Sequence, residues 1–124
     1  MSTLSPAETE RMMTRSITDL TGAQAKLAEA RDVLTEAEIA YERAEVTASH
    51  DPACPRPVRG GVTVGEREAW IKAKVMPEWE ARKRAETARD IAQDAIRTQY
   101  AVTSTVQSIA RSVQQAYALA GSGR

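Results

Sequence analysis

The chain has 124 residues, with 17 lysines and arginines against 17 aspartates and glutamates, and it is 42% hydrophobic but only 4% aromatic, with no phenylalanine. That length holds one domain, and a net charge of zero excludes the basic surplus on which general affinity for a nucleic-acid backbone rests. The single cysteine, Cys54, excludes an internal disulfide and fits a reducing cytoplasm.

Met1 to Pro6 lack the basic and apolar regions of a signal peptide, and no stretch approaches the roughly 18 uninterrupted apolar residues of a membrane span. The expectation is a soluble, cytoplasmic protein that does not touch membranes.

Ser5-Pro6-Ala7-Glu8 opens the first helix. Ser5 caps it, Pro6 occupies the first turn where its missing N–H costs nothing, and Glu8 completes a capping box. Leu20, Leu27, Leu34 and Tyr41 then recur at one heptad position, with Ala23, Ala30, Ala37 and Ala44 three residues after each. Such a stripe is built to be covered by another helix. Met13 and Ile17 are expected to extend it toward the N-terminus. Gly22 opposes the helix at a cost of about 1 kcal/mol, but the register runs on past it.

The stretch from His50 to Gly61 carries three prolines and two glycines in twelve positions and reads as the connector. Its centre, Pro55 to Arg59, favours extended polyproline-like backbone. Thr63-Val64-Gly65-Glu66 offers a second capping box, opening a short helix that is stopped or kinked at Pro77. Trp70 and Trp79 flank that proline and are expected to pack near the tip of the hairpin.

A second seven-residue register follows through Ala81, Ala85, Ala88, Ala92, Ala95, Gln99, Val102, Val106, Ile109, Val113, Ala116 and Ala120. Up to Arg97 the outer faces are charged and look exposed, with Glu78 and Arg82, and Glu80 and Arg84, at the i,i+4 spacing of ion pairs. From Thr98 to Ala120 only Arg111 is charged. Uncharged, small side chains on every face allow close helix approach. This half is therefore the expected surface for self-association or partner binding, through Val102, Val106, Ile109, Val113 and Tyr117. Gly121 to Arg124 read as a stop and a loose end.

The predicted fold is all-α: a long antiparallel, coiled-coil-like hairpin with a proline-rich connector and a short tip helix. The single domain, residues 1–124, divides into helix one at 6–48, a loop at 49–62, a short helix at 63–76 and helix two at 77–120. Burying a Leu or Ile is worth roughly 1.5–3 kcal/mol, and an alanine much less. An alanine-rich hairpin is therefore thinly stabilised, and hairpins are expected to pair into a larger helical bundle.

No catalytic constellation, metal cluster or phosphate loop is found, so neither an enzyme nor a cofactor is expected. His50 and Cys54 could face one metal, but zinc needs three or four ligands. Cys54 as a nucleophile lacks an oriented base. The run Arg82-Lys83-Arg84 is surrounded by Glu78, Glu80 and Glu86, which reads as an ion-paired face rather than a nucleic-acid contact. Arg56 and Arg59, together with Trp70, are the loop-region contact candidates, suited to an acidic partner or a phosphate, although a plain solvated loop explains the arginines as well.

The first helix rich in Ala, Glu and Arg, the segment Val62-Thr63-Val64-Gly65-Glu66-Arg67-Glu68-Ala69-Trp70, and the closing Val106-Gln107-Ser108-Ile109-Ala110-Arg111-Ser112-Val113 together resemble small helical proteins encoded by tailed phages of actinobacteria. The likeness covers most of the chain and implies a phage accessory role in the host cytoplasm, with no functional residues to carry over. Tyr41-Glu42-Arg43-Ala44-Glu45 is similar to the Tyr-x-x-x-Asp/Glu signal of secreted Trp-x-Gly helical hairpins. It stands in the wrong helix, and the turn here has no Trp-x-Gly.

The sequence thus leads to a non-enzymatic, oligomeric interaction protein whose partners are itself and a host or phage protein, such as a defence factor. The alternatives are a virion or assembly component, and a nucleic-acid or recombination accessory. A small molecule held between protomers also remains open.

Overall fold

The computed structural model describes residues 4–122, which form three helices: α1 (Pro6–Ser49), α2 (Val64–Lys74) and α3 (Met76–Ser122). The described residues include no strand. Helix α1 packs against α3, consistent with a hairpin. By contact density the chain divides into one unit drawn from Met1–Ala28 and Ile91–Arg124 and a second drawn from Glu29–Asp90. Helix α3 runs through Gly121 to Ser122 rather than ending at Ala120, and the loose end expected at Gly123 and Arg124 lies outside the described residues, as do Met1 to Thr3.

The helix ends follow their local chemistry. Glu8 N–H donates to Ser5 Oγ at 3.2 Å and Ser5 N–H to Glu8 Oε2 at 3.4 Å, the reciprocal capping box expected for this start. Thr63 caps α2 by accepting from the Glu66 N–H at 3.1 Å, so it precedes the helix instead of beginning it. One residue, Val75, separates α2 from α3; its N–H donates to Ile71 O and its carbonyl accepts from Trp79 N–H, both at 3.0 Å. The break therefore falls two residues before Pro77, which sits in the first turn of α3, where a proline is tolerated.

On α1 the covered residues between Thr14 and Arg43 are Ser16, Leu20, Ala23, Leu27, Ala30, Leu34, Ala37 and Tyr41, all on the leucine and alanine positions. Ser16, seven residues before Ala23, occupies the alanine position and is 4% exposed, whereas Ile17 is 52% exposed. The expected extension through Ile17 is corrected accordingly: alternation of fours and threes back from Leu20 reaches 16, not 17.

On α3 the pattern is turned. Ala85, Ala92, Gln99, Val106 and Val113 are covered as expected, but their companions are Arg82, Arg89, Ile96, Thr103 and Ala110 rather than Ala81, Ala88, Ala95, Val102 and Ala116. Moving the companion from three to four residues after each shared position rotates the seam by about 50° at about 100° per residue. Physical reasons are visible in the side chains. Arg82 lays its guanidinium 4.6 Å from the centroid of the Tyr41 ring, and long arginine stems and Ile96 cover more apolar surface than Ala81, Ala88 and Ala95 would. The charged half is thus not simply exposed, since Arg82 and Arg89 keep only 27% and 33% of their side-chain surface in solvent.

The two units differ in what they bury. In the Glu29–Asp90 unit the buried residues are Leu34, Ala48, Cys54, Val75 and Ala85. In the other unit they are Leu27 and Val106 together with three hydroxyl residues, Thr9, Ser16 and Thr103. Thr9 is satisfied locally through Pro6 O at 2.8 Å. Ser16 Oγ and Thr103 Oγ1 share a buried hydrogen bond of 2.7 Å between α1 and α3, and Gln99 Nε2 donates to Ser16 O at 3.3 Å and Ser16 Oγ at 3.4 Å. This polar layer joins α1 to α3 where the seam lacks a large apolar side chain.

Two stability measurements test this account. Gly22 has open space where a Cβ would stand, so Gly22→Ala should raise unfolding free energy by about 0.5–1 kcal/mol in urea titration. Ser16→Ala alone should cost about 1–3 kcal/mol because it leaves a buried hydroxyl unpaired, while Ser16→Ala combined with Thr103→Val should recover most of that loss. Additive single and double variants would refute the hydrogen-bonded layer.

Candidate functional site

The connector is anchored from α2. Arg67 Nη1 donates to Pro55 O at 2.9 Å and lies 3.1 Å from Cys54 Sγ, while Nη2 donates to Ser49 O at 3.1 Å. One planar guanidinium thus ties the loop to the last carbonyl of α1, Ser49 O, which has no partner within the helix. Asp51 Oδ1 accepts from Ala53 N–H at 2.8 Å and Asp51 O from Cys54 N–H at 2.9 Å, turning the chain so that Cys54 is buried. A second turn closes with Val58 N–H to Val62 O and Gly61 N–H to Val58 O, both at 3.1 Å, with Gly60 at φ 78°. In this turn a side chain at 61 would collide with Val58. The segment expected to run extended lies between these two turns, with no turn or bend at Pro55 to Val58, and the second turn takes in its last residue, Arg59.

This geometry places the loop candidates. Arg56 and Arg59 are exposed on the connector, while Trp70 is half-buried on α2 with Lys74 Nζ 5.5 Å from its ring centroid. Trp79 is half-buried on α3 beneath Lys83 at 5.5 Å and lines an open groove of about 370 Å³ with Tyr41, Ile71 and Val75. The His50 ring nitrogen Nδ1 is held at 2.9 Å from Val46 O, and Cys54 faces Arg67, so the two do not form a joint site. Among the described residues no three of the His, Cys, Asp and Glu side chains converge as metal ligands would.

The basic run is engaged on its own helix. Arg84 pairs with Glu80 at 3.6 Å, and Arg82 and Lys83 both face Glu86, at 3.6 and 3.4 Å. Glu80 to Arg84 forms at the expected spacing. Glu78 to Arg82 does not: Glu78 Oε2 and Arg82 Nε are buried without hydrogen-bond partners, because Arg82 is drawn to the Tyr41 ring and to Glu86.

The five residues expected to form one contact surface are divided by the turn of α3. Val106 is 9% exposed and Val113 half-buried in the seam. Val106 is therefore already covered within the chain. Val102 is 45% exposed, Tyr117 51% exposed and Ile109 half-buried at the margin.

Val102 and Ile109 belong to a different stripe, Ile91, Ala95, Thr98, Val102, Thr105, Ile109, Ser112 and Ala116, again spaced alternately by four and three. All but Ile109 are exposed and none is charged. Ile91, 65% exposed, was not singled out from the sequence because it lies off the register read there. A second four-three series through 91, 98, 105 and 112 was the available signal.

Among the described residues no helix is long and apolar enough to cross a membrane. Comparison with family models, curated proteins and solved structures gives no match for the chain.

Arg67→Ala should release the connector, costing about 1.5–3 kcal/mol for the charged hydrogen bonds. Arg67→Lys should fail to restore it, since one ammonium cannot span three acceptors. The check is the labelling rate of Cys54 by a thiol reagent under native conditions, which should rise in both variants; unchanged labelling would show that the loop holds without Arg67.

Proposed function

We propose that the protein is a non-enzymatic interaction protein that works as a homo-oligomer and, in that form, binds a second protein. The observation that carries this reading is the uncharged, exposed stripe on α3 beside a seam already filled by α1. A helix hydrophobic on one face needs a single partner; α3 carries a second, uncharged face on which Ile91 and Val102 are exposed, and exposed apolar side chains gathered on one face mark contact sites. The thinness of the core, whose buried apolar residues are few and include two alanines, supports the same reading.

The resemblance to small helical proteins of actinobacterial phages supports an accessory role inside the host cell, where a host or defence protein is the partner that fits. That role requires only surface, in keeping with the ion-paired basic run and the separated His50 and Cys54.

Light scattering on the purified chain at micromolar concentration should give a multiple of 13.5 kDa. A folded monomer under those conditions would overturn the proposal. Tagged protein in the native host should retain a defined host or phage protein, and capture of none would remove the second half of the reading.

A further inference from the structure

Resting on the homo-oligomeric reading above, we infer that the outer stripe of α3 is seated against the same stripe of a second copy running antiparallel, with the two-fold axis at Thr105. The stripe has a symmetry that a generic contact surface does not need. In order it reads Ile91, Ala95, Thr98, Val102, Thr105, Ile109, Ser112, Ala116, and the register continues to Leu119. Outward from Thr105 each step meets the same class of side chain in both directions: β-branched Val102 and Ile109, hydroxyl-bearing Thr98 and Ser112, Ala95 and Ala116, then large aliphatic Ile91 and Leu119.

A two-fold interface brings residue i against residue j and j against i. An antiparallel pair therefore matches like with like only when its stripe reads the same from both ends. A parallel pair sets every residue against itself and places no such demand on the sequence.

The chemistry of the stripe agrees with a second copy as occupant. It has no charge to complement, so nothing in it selects an acidic or basic partner. The hydroxyl at its centre is already satisfied, Thr105 Oγ1 donating to Ala101 O of its own helix at 3.0 Å, so burial of that residue leaves no unpaired donor. Ala95 and Ala116 let helix backbones come close, while Val102 and Ile109 flank the axis with the larger side chains. Opposed helix dipoles favour the antiparallel sense.

The test uses the full chain with Cys54→Ser and one introduced cysteine at a time, oxidised with glutathione disulfide and read on a non-reducing gel. Thr105→Cys should give a covalent dimer readily, while Ala95→Cys and Ala116→Cys, each about 15 Å or more along the helix from the axis, should give little alone and a cross-linked heterodimer when mixed. Cross-linking at all three positions separately would establish a parallel pair and overturn the inference.

In parallel, Val102→Asp should weaken self-association about a hundredfold or more, since it buries an unpaired carboxylate. Ile39→Asp, on an exposed position of α1, should leave the mass unchanged. An oligomer that survives Val102→Asp and does not cross-link through Thr105→Cys would overturn this arrangement while leaving the oligomeric reading intact. A monomeric wild type would overturn both.

Discussion

A helix can press only one stripe of its surface against a given neighbour, and in this protein the choice of stripe on α3 decides everything else. Helix α1 offers leucines and alanines in a strict seven-residue order, so it needs from α3 a face with matching period. Two faces of α3 have that period. The one taken places Ala85, Ala92, Gln99, Val106 and Val113 in the seam with Arg82, Arg89, Ile96, Thr103 and Ala110. The one left over carries Ile91, Val102 and half-buried Ile109.

The face taken is filled differently in each unit. Near Arg82 the chosen face gains an arginine stem and a guanidinium stacked on Tyr41. Near Thr103 it forgoes Val102 and takes a hydroxyl in its place. That local loss is offset by the Ser16–Thr103 hydrogen bond at 2.7 Å and the Gln99 amide beside it. The polar layer is thus a consequence of the seam and also what makes the seam tolerable there. The apolar residues passed over in that half, Ile91 and Val102, are left exposed.

The connector illustrates a similar dependence on a distant group. Its prolines and glycines forbid regular structure, yet they do not leave it loose, because the fork of Arg67 reaches back from α2 to Ser49, Cys54 and Pro55. The planar guanidinium satisfies acceptors from the end of one helix and the turn that follows it. Arg56 and Arg59 follow this anchor and are exposed.

Much of this architecture was legible in the residues. The capping residues Ser5, Glu8 and Thr63, the proline-rich break after Ser49, the leucine and alanine series on α1 and the all-helical class follow from local rules of spacing and backbone chemistry, which act within a few residues of chain. The uncharged character of Thr98 to Ala120 was equally plain. What could not be read was the side of α3 that meets α1, since periodicity marks that a face exists but assigns it no partner when two faces share the period. Ser16, Ile91, Arg67 and Thr103 took their roles only when residues far apart in the chain were brought together, because burial, stacking and hydrogen bonding across that distance depend on which surfaces touch.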